Sequence, residues 1–128
     1  GGCAVTDVDR EEVSRRLGEA GFVVLDVRSL REYRGEAVAP CDPRPGRIPR
    51  ALHLDVSELL GLTPERVRER LGPPDGAELV TYCHSGSRSE LAAQVLRSHG
   101  YRARNYRGSW HEWSRDESLP AETGFTNS

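Results

Sequence analysis

Hydrophobic residues along the chain fall into two alternating regimes, short unbroken apolar runs and stretches in which they recur every three or four positions. "TDVDREEVSRRLGEAG", residues 6–21, is of the second kind. Val13, Leu17 and Ala20 share one helical face, acids crowd the first turn, and Gly21 is the expected stop. "FVVLDV", residues 22–27, is an unbroken run suited to a strand covered on both faces, as in a parallel sheet. In "SLREYRG", Ser29 and Glu32 stand at capping-box spacing for a short helix closed by Gly35.

Regularity then breaks. "EAVAPCDPRPGRIPRA", residues 36–51, carries four prolines and one glycine and reads as a long loop, a common place for function. "LHLDV" is a short strand candidate, and Thr63 with Pro64 opens the helix "PERVRERL", ended by Gly72, Pro73 and Pro74. "AELVTY" predicts the next strand, "SELAAQVLRSHG" the next helix and "RARNY" the last strand. Strands alternating with helices imply a doubly wound parallel α/β sheet. One domain is expected over residues 1–120, and 121–128 close "SLPAETGFTNS", read as a polar, weakly ordered tail.

Composition narrows the chemistry. With 128 residues and 36% hydrophobic content the chain can bury one ordinary core, and a net charge of −2 supplies no positive field for nucleic acid or an anionic membrane. Every basic side chain other than histidine is arginine, so no lysine is present to act as a Schiff-base nucleophile or catalytic base. Cys3, Cys41 and Cys83 form neither an even disulfide framework nor a CxxC pair, a pattern that suits a reducing cytoplasm. No apolar run approaches the roughly 20 residues of a membrane span. The opening "GGC" reads as a trimmed end or expression scar, and no preceding sequence supports lipidation of Cys3.

The candidate nucleophile lies in "LVTYCHSGSRSELAAQVL", residues 79–96. Cys83 stands where a strand ends and a helix is about to begin, which is where ligands bind in open α/β sheets. The small residues Ser85, Gly86 and Ser87 allow successive backbone N–H groups to point inward, and the helix beginning near Ser87 adds its positive end. That field stabilises a thiolate, and Arg88 adds a permanent cation. A buried structural cysteine is the alternative, but the flanking "HSGSRS" is polar for such a role.

No metal is expected. Cys83 and His84 are adjacent and point opposite ways on an extended segment, and no other Cys/His cluster has zinc spacing. His53, His84, His99 and His111 read as surface or packing residues, none assignable as a base. Asp26 and Arg28 follow the first strand, where they either form an ion pair fixing the turn or approach the loop. Trp110 and Trp113, one helical turn apart, read as core.

Sulfurtransferases and cysteine phosphatases both place a thiolate in such a strand-loop-helix cradle. The phosphatase signature needs five residues between cysteine and arginine, with a histidine usual before the cysteine. Here four intervene, and Tyr82 precedes Cys83.

"LDVRSLREYRGE", "GRIPRALHL", "YCHSGSRS" and "NYRGSWHEW" together resemble the segments of a rhodanese-homology domain from about Val5 to about Pro120. The last is similar to the close of the C-terminal, catalytic half of tandem sulfurtransferases. Two positions depart from the pattern: Arg47 replaces the usual histidine and Arg50 the usual glycine, adding charge to a loop that in this family runs near the active-site mouth. The resemblance implies a mostly parallel five-stranded sheet with helices on both faces, and a cytoplasmic enzyme without cofactor or metal. It also implies that Cys83 takes the outer sulfur of thiosulfate as a persulfide, cradled by amides from His84 to Arg88. Cyanide, a small thiol or a protein acceptor would then remove it. Cys83 and Arg88 are the expected catalytic residues, with His84, Ser85, Gly86, Ser87 and Arg28 contacting substrate. A cysteine-dependent phosphatase or arsenate reductase, and a noncatalytic binding module, are the competing readings; the short loop opposes the first two and the retained Cys83 the last.

Donor preference follows from two positions. The mercaptopyruvate branch of the family closes its loop with glycine, valine and threonine, whereas Gly86 here precedes Ser87 and Arg88, a planar fork suited to an oxyanion. That branch also uses an arginine after "D-x-R" to grip the substrate carboxylate, where this chain has Glu32. Arg31, Arg34, Arg44 and Arg47 are the neighbours that would supply a cation instead.

Overall fold

The computed structural model describes residues 7–124, so Cys3 lies outside the described residues. Chain order is α1 (Arg10–Arg16), β1 (Phe22–Asp26), α2 (Leu30–Arg34), β2 (Leu52–His53), α3 (Val56–Leu60), α4 (Pro64–Leu71), β3 (Glu78–Tyr82), α5 (Ser87–Ser98), β4 (Arg102–Asn105) and α6 (Ser109–Trp113). The strands form one parallel sheet in the order β2-β1-β3-β4. Four strands, rather than five, occur among the described residues; beyond β4 a single parallel bridge joins Val8 to Tyr106.

Alternation along the strands sends side chains to two cores. Phe22, Val24, Val80 and Tyr82 join Val13 of α1, Tyr33 of α2 and both tryptophans of α6 on one face. Leu25 and Leu79 join Leu59 of α3, Val67 of α4 and Ala92, Ala93 and Leu96 of α5 on the other. Trp110 and Trp113 are fully buried, as their spacing predicts.

Local signals explain most of the boundaries. Ser29 and Glu32 form the reciprocal capping box, and Gly35 closes α2 in the left-handed conformation. Thr63 caps α4, with Pro64 in its first turn. Two elements depart from expectation by more than two residues. The first helix ends at Arg16 instead of running to Gly21, because left-handed Gly18 turns the chain. "LHLDV" gives a strand of two residues only, since the Asp55 carboxylate accepts from the Ser57 N–H and starts α3.

The stretch read as a polar tail is, as far as Gly124, laid against the long loop. Leu119 is buried, and Trp113 Nε1 donates to the Pro120 carbonyl at 2.7 Å. Arg47 and Glu122 exchange backbone hydrogen bonds of 2.9 and 3.0 Å. Arg44 donates to the carbonyls of Trp113, Ser114, Asp116 and Leu119, holding the end of α6. No helix among the described residues is long and apolar enough to cross a membrane.

Candidate active site

Strand order reverses between β1 and β3: β1 continues through α2 to β2 on one side, and β3 continues through α5 to β4 on the other. The crevice at the carboxyl ends of β1 and β3 is therefore the topological switch point of the sheet. Asp26 ends β1, and Cys83 follows Tyr82 at the end of β3.

Cys83 is fully buried, and its sulfur accepts the backbone N–H groups of Gly86 at 3.1 Å and Ser89 at 3.4 Å. The loop holds this shape because it is tied from below by α6: the Trp110 N–H donates to the Cys83 carbonyl and the His111 N–H to the His84 carbonyl, both at 2.9 Å. In a trans peptide C=O and N–H point opposite ways, so drawing the His84 carbonyl toward α6 turns the Ser85 N–H toward the sulfur. Gly86 makes the curl with φ of 102°, and a Cβ there would lie 2.5 Å from the Arg107 carbonyl oxygen. Only glycine fits this position without displacing the loop.

Burial opposes ionisation of Cys83. The Ser89 hydroxyl and the backbone N–H groups of Ser89, Gly86 and Ser85 outweigh it and hold the thiol below its ordinary range. At rest the Ser89 hydroxyl donates to the Gly86 carbonyl at 3.1 Å, and its free rotation lets it turn to a thiolate. The sulfur thus sits at the N-terminal end of α5, facing amides that cannot titrate.

The other expected site residues divide. Ser85 and Ser87 are exposed, while His84 Nε2 lies 2.9 Å from Asp42 Oδ2. Arg88 is partly exposed in the first turn of α5, and its Nη1 pairs with Glu32 Oε1 at 3.3 Å, so two positions weighed separately in the sequence form one ion pair. Burial would raise the Glu32 carboxyl, but Arg88 and the Ser29 cap hold it below its ordinary range.

Arg28 is buried and engaged. Its Nη2 lies 2.7 Å from Asp26 Oδ2 and donates to the Gly46 carbonyl at 2.6 Å; its Nε donates to Asp26 Oδ1 at 3.0 Å. The guanidinium packs 5.2 Å from the Trp110 ring and 5.4 Å from the Tyr82 ring. Tyr82, pushed up by burial and by the Asp26 charge, keeps its proton and donates it to Asp26 at 2.8 Å. This is the turn-fixing ion pair, one of the two roles open to these residues in the sequence.

Arg47 and Arg50 do not charge the mouth. Arg47 is buried against the Tyr33 ring at 4.4 Å and donates to the carbonyls of Tyr33 and Gly124. Arg50 has φ of 68°, a left-handed conformation that glycine adopts most readily, and its guanidinium sits beside Gly18, where a Cβ would lie 3.6 Å from Cζ.

A profile of the rhodanese-like domain matches residues 9–116. The chain belongs to the rhodanese-like family. It is 36% identical over 129 residues to a probable 3-mercaptopyruvate sulfurtransferase of Pseudomonas aeruginosa, covering 91% of this chain and 44% of the relative. It is 38% identical over 119 residues to the thiosulfate:glutathione sulfurtransferase of Homo sapiens, covering 87% of this chain and 95% of that one. A crystal structure of a probable thiosulfate sulfurtransferase superposes with a TM-score of 0.77 at 45% identity, over 91% of this chain and 47% of that one. The chain spans less than half the length of several relatives it matches and nearly all of the human one. Membership in the rhodanese-like family is consistent with the switch-point placement of Cys83.

Two contributors escaped the expected list. Ser89, the last residue of "YCHSGSRS", supplies both an N–H and a hydroxyl to the sulfur environment. Ser109, with φ of 54°, accepts the Cys83 N–H at 3.1 Å and donates to the Tyr106 carbonyl at 2.9 Å, which fixes the base of the loop. Its signal in the sequence was the serine of "NYRGSWHEW".

Proposed function

We propose that this chain is a sulfurtransferase that moves sulfane sulfur from thiosulfate through a Cys83 persulfide to cyanide or a thiol. The reading is carried by one observation: the Cys83 sulfur sits in a ring of fixed N–H donors at the start of α5. Such donors favour an anion on either the resting sulfur or a terminal persulfide sulfur, without supplying a proton to quench it. Relatives that act as sulfurtransferases, one on 3-mercaptopyruvate and one on thiosulfate, support the transfer of sulfur, and the choice of donor rests on Arg88 and Glu32.

In the first half-reaction the Cys83 thiolate attacks the outer sulfur of thiosulfate. A bond forms between the two sulfurs, the donor's S–S bond breaks, and its electron pair leaves on sulfite. In the second half-reaction cyanide or a thiolate attacks the outer persulfide sulfur, and Cys83 departs as a thiolate. Electrons balance without a redox cofactor, and two half-reactions through one covalent state give ping-pong kinetics. Arg88 would receive the sulfonate end of the donor in competition with Glu32. Thiosulfate is the preferred donor over 3-mercaptopyruvate, because Glu32 stands where a carboxylate-bearing donor needs a cation and because Arg44 and Arg47 are engaged elsewhere.

Intact mass spectrometry after brief exposure to thiosulfate tests the reading. The expected result is a gain of one sulfur atom, reversed by cyanide and absent in Cys83→Ser. A protein that gains no sulfur yet hydrolyses an aryl phosphate would overturn it.

A further inference from the structure

Four side chains from three distant segments meet on the outer side of the catalytic loop. Cys41 and Asp42 come from the proline-rich loop, His84 follows the nucleophile, and His111 lies on α6. One donor atom from each lies within 4.8 Å of all the others. His84 Nε2 is 2.9 Å from Asp42 Oδ2 and 3.6 Å from Cys41 Sγ. His111 Nδ1 is 3.2 Å from Asp42 Oδ1 and 4.0 Å from Cys41 Sγ.

Asp42 is the unusual member. Its side chain is 1% exposed, and Oδ2 is buried without a hydrogen bond of acceptable geometry despite its closeness to His84. Burying a carboxylate oxygen in that way is costly unless something positive faces it. Among the described residues, His84 faces Oδ2 while His111 and the Cys41 thiol face Oδ1, and all three are metal-ligating side chains.

We infer that Cys41, Asp42, His84 and His111 form a binding site for Zn²⁺. Four donors at about 2.0–2.3 Å from a tetrahedral ion are separated from one another by about 3.3–3.6 Å, and the separations found here, from 2.9 Å to no more than 4.8 Å, bracket that range. One sulfur, two nitrogens and one oxygen make a set suited to zinc and poor for the oxygen-seeking magnesium or calcium. The backbone is already braced for the purpose: Arg115 donates to the Cys41 carbonyl, and the His111 N–H to the His84 carbonyl at 2.9 Å. Binding exchanges the Cys41 thiol proton for the metal and releases that proton to solvent. An ion there joins the long loop, the catalytic loop and α6 through their side chains.

The test uses Co²⁺ and Zn²⁺ on the full chain in a Cys3→Ser/Cys83→Ser background, which leaves Cys41 as the sole thiol and makes the result independent of sulfur transfer. The expected result is one Co²⁺ per chain with the intense visible absorption of a four-coordinate ion and a thiolate charge-transfer band, displaced by Zn²⁺. Cys41→Ser removes the charge-transfer band, and Cys41→Ser and His111→Ala each weaken Zn²⁺ binding at least tenfold while circular dichroism stays unchanged. Absence of stoichiometric binding in that background, or a Co²⁺ spectrum indifferent to both substitutions, would overturn the inference.

Discussion

Strands β1 and β3 end side by side at the same end of the sheet, each at an acidic side chain, but the two side chains are held in opposite ways. Asp26 is held by the Arg28 guanidinium, the Tyr82 hydroxyl and a backbone N–H, so the pair is neutral, buried and complete. The Cys83 sulfur is held by main-chain N–H groups and the Ser89 hydroxyl, none of which carries a charge. A counter-charge on a side chain cancels the anion and closes the site to reagents. Uncharged dipoles raise the fraction of thiolate and leave its charge uncancelled. On the proposed function, one strand end serves the fold and the other the chemistry.

The sharpest test of that division is the sulfur itself. Cys83→Ala should reduce kcat/KM with thiosulfate by about a thousandfold or more, to the background level, while urea denaturation shows a loss of no more than about 2 kcal/mol. A collapse of helical signal would move Cys83 to the structural side.

Arg28→Met should do the reverse, lowering stability by about 3–5 kcal/mol because it leaves Asp26 buried and uncompensated. The double variant Asp26→Asn/Arg28→Met should recover most of that loss by removing both charges. Were Arg28→Met to keep wild-type stability while losing thiosulfate turnover, the contrast between the strand ends would fail.

Smaller effects sharpen the contrast. Because its surroundings hold the Cys83 thiol below the ordinary range, the thiolate persists as pH falls, and persulfide formation in a chelating buffer should reach its plateau below the pH at which a free thiol ionises. Ser89→Ala removes a donor to the thiolate, so the rising limb of the stopped-flow pH profile should move to higher pH. No movement would show that the backbone amides alone set it.

Glu32→Gln keeps the capping partner of Ser29 but removes the charge opposite Arg88. The KM for thiosulfate should fall about two- to fivefold with little change in kcat, the scale of a partly exposed ion pair. An unchanged KM would mean that Arg88 does not meet the donor.

Local features were readable in the sequence because their causes are local. The Ser29–Glu32 box, the Thr63 cap and the apolar runs of β1 and β3 each follow from neighbouring residues. Cys83 was readable because a strand, a small-residue loop and a helix start are contiguous around it. What stayed hidden depends on chain closure. Arg88 meets Glu32 across 56 positions, and Cys41 meets His111 across 70, so no spacing rule encodes either contact. The choice between the two roles of Arg28 likewise depended on Gly46 and Trp110, which only the folded chain brings to it.

The mutual backbone hydrogen bonds of Arg47 and Glu122 bind the long loop to a distant C-terminal segment. Amides in most proline-rich loops exchange with deuterated solvent through independent small fluctuations. These two can be released only when the C-terminal segment lifts, and that motion also frees the Trp113 indole from Pro120 and the Arg47 guanidinium from Gly124. Arg47 and Glu122 should therefore exchange at one common rate, as a single cooperative opening unit that lies apart from the strands of the sheet.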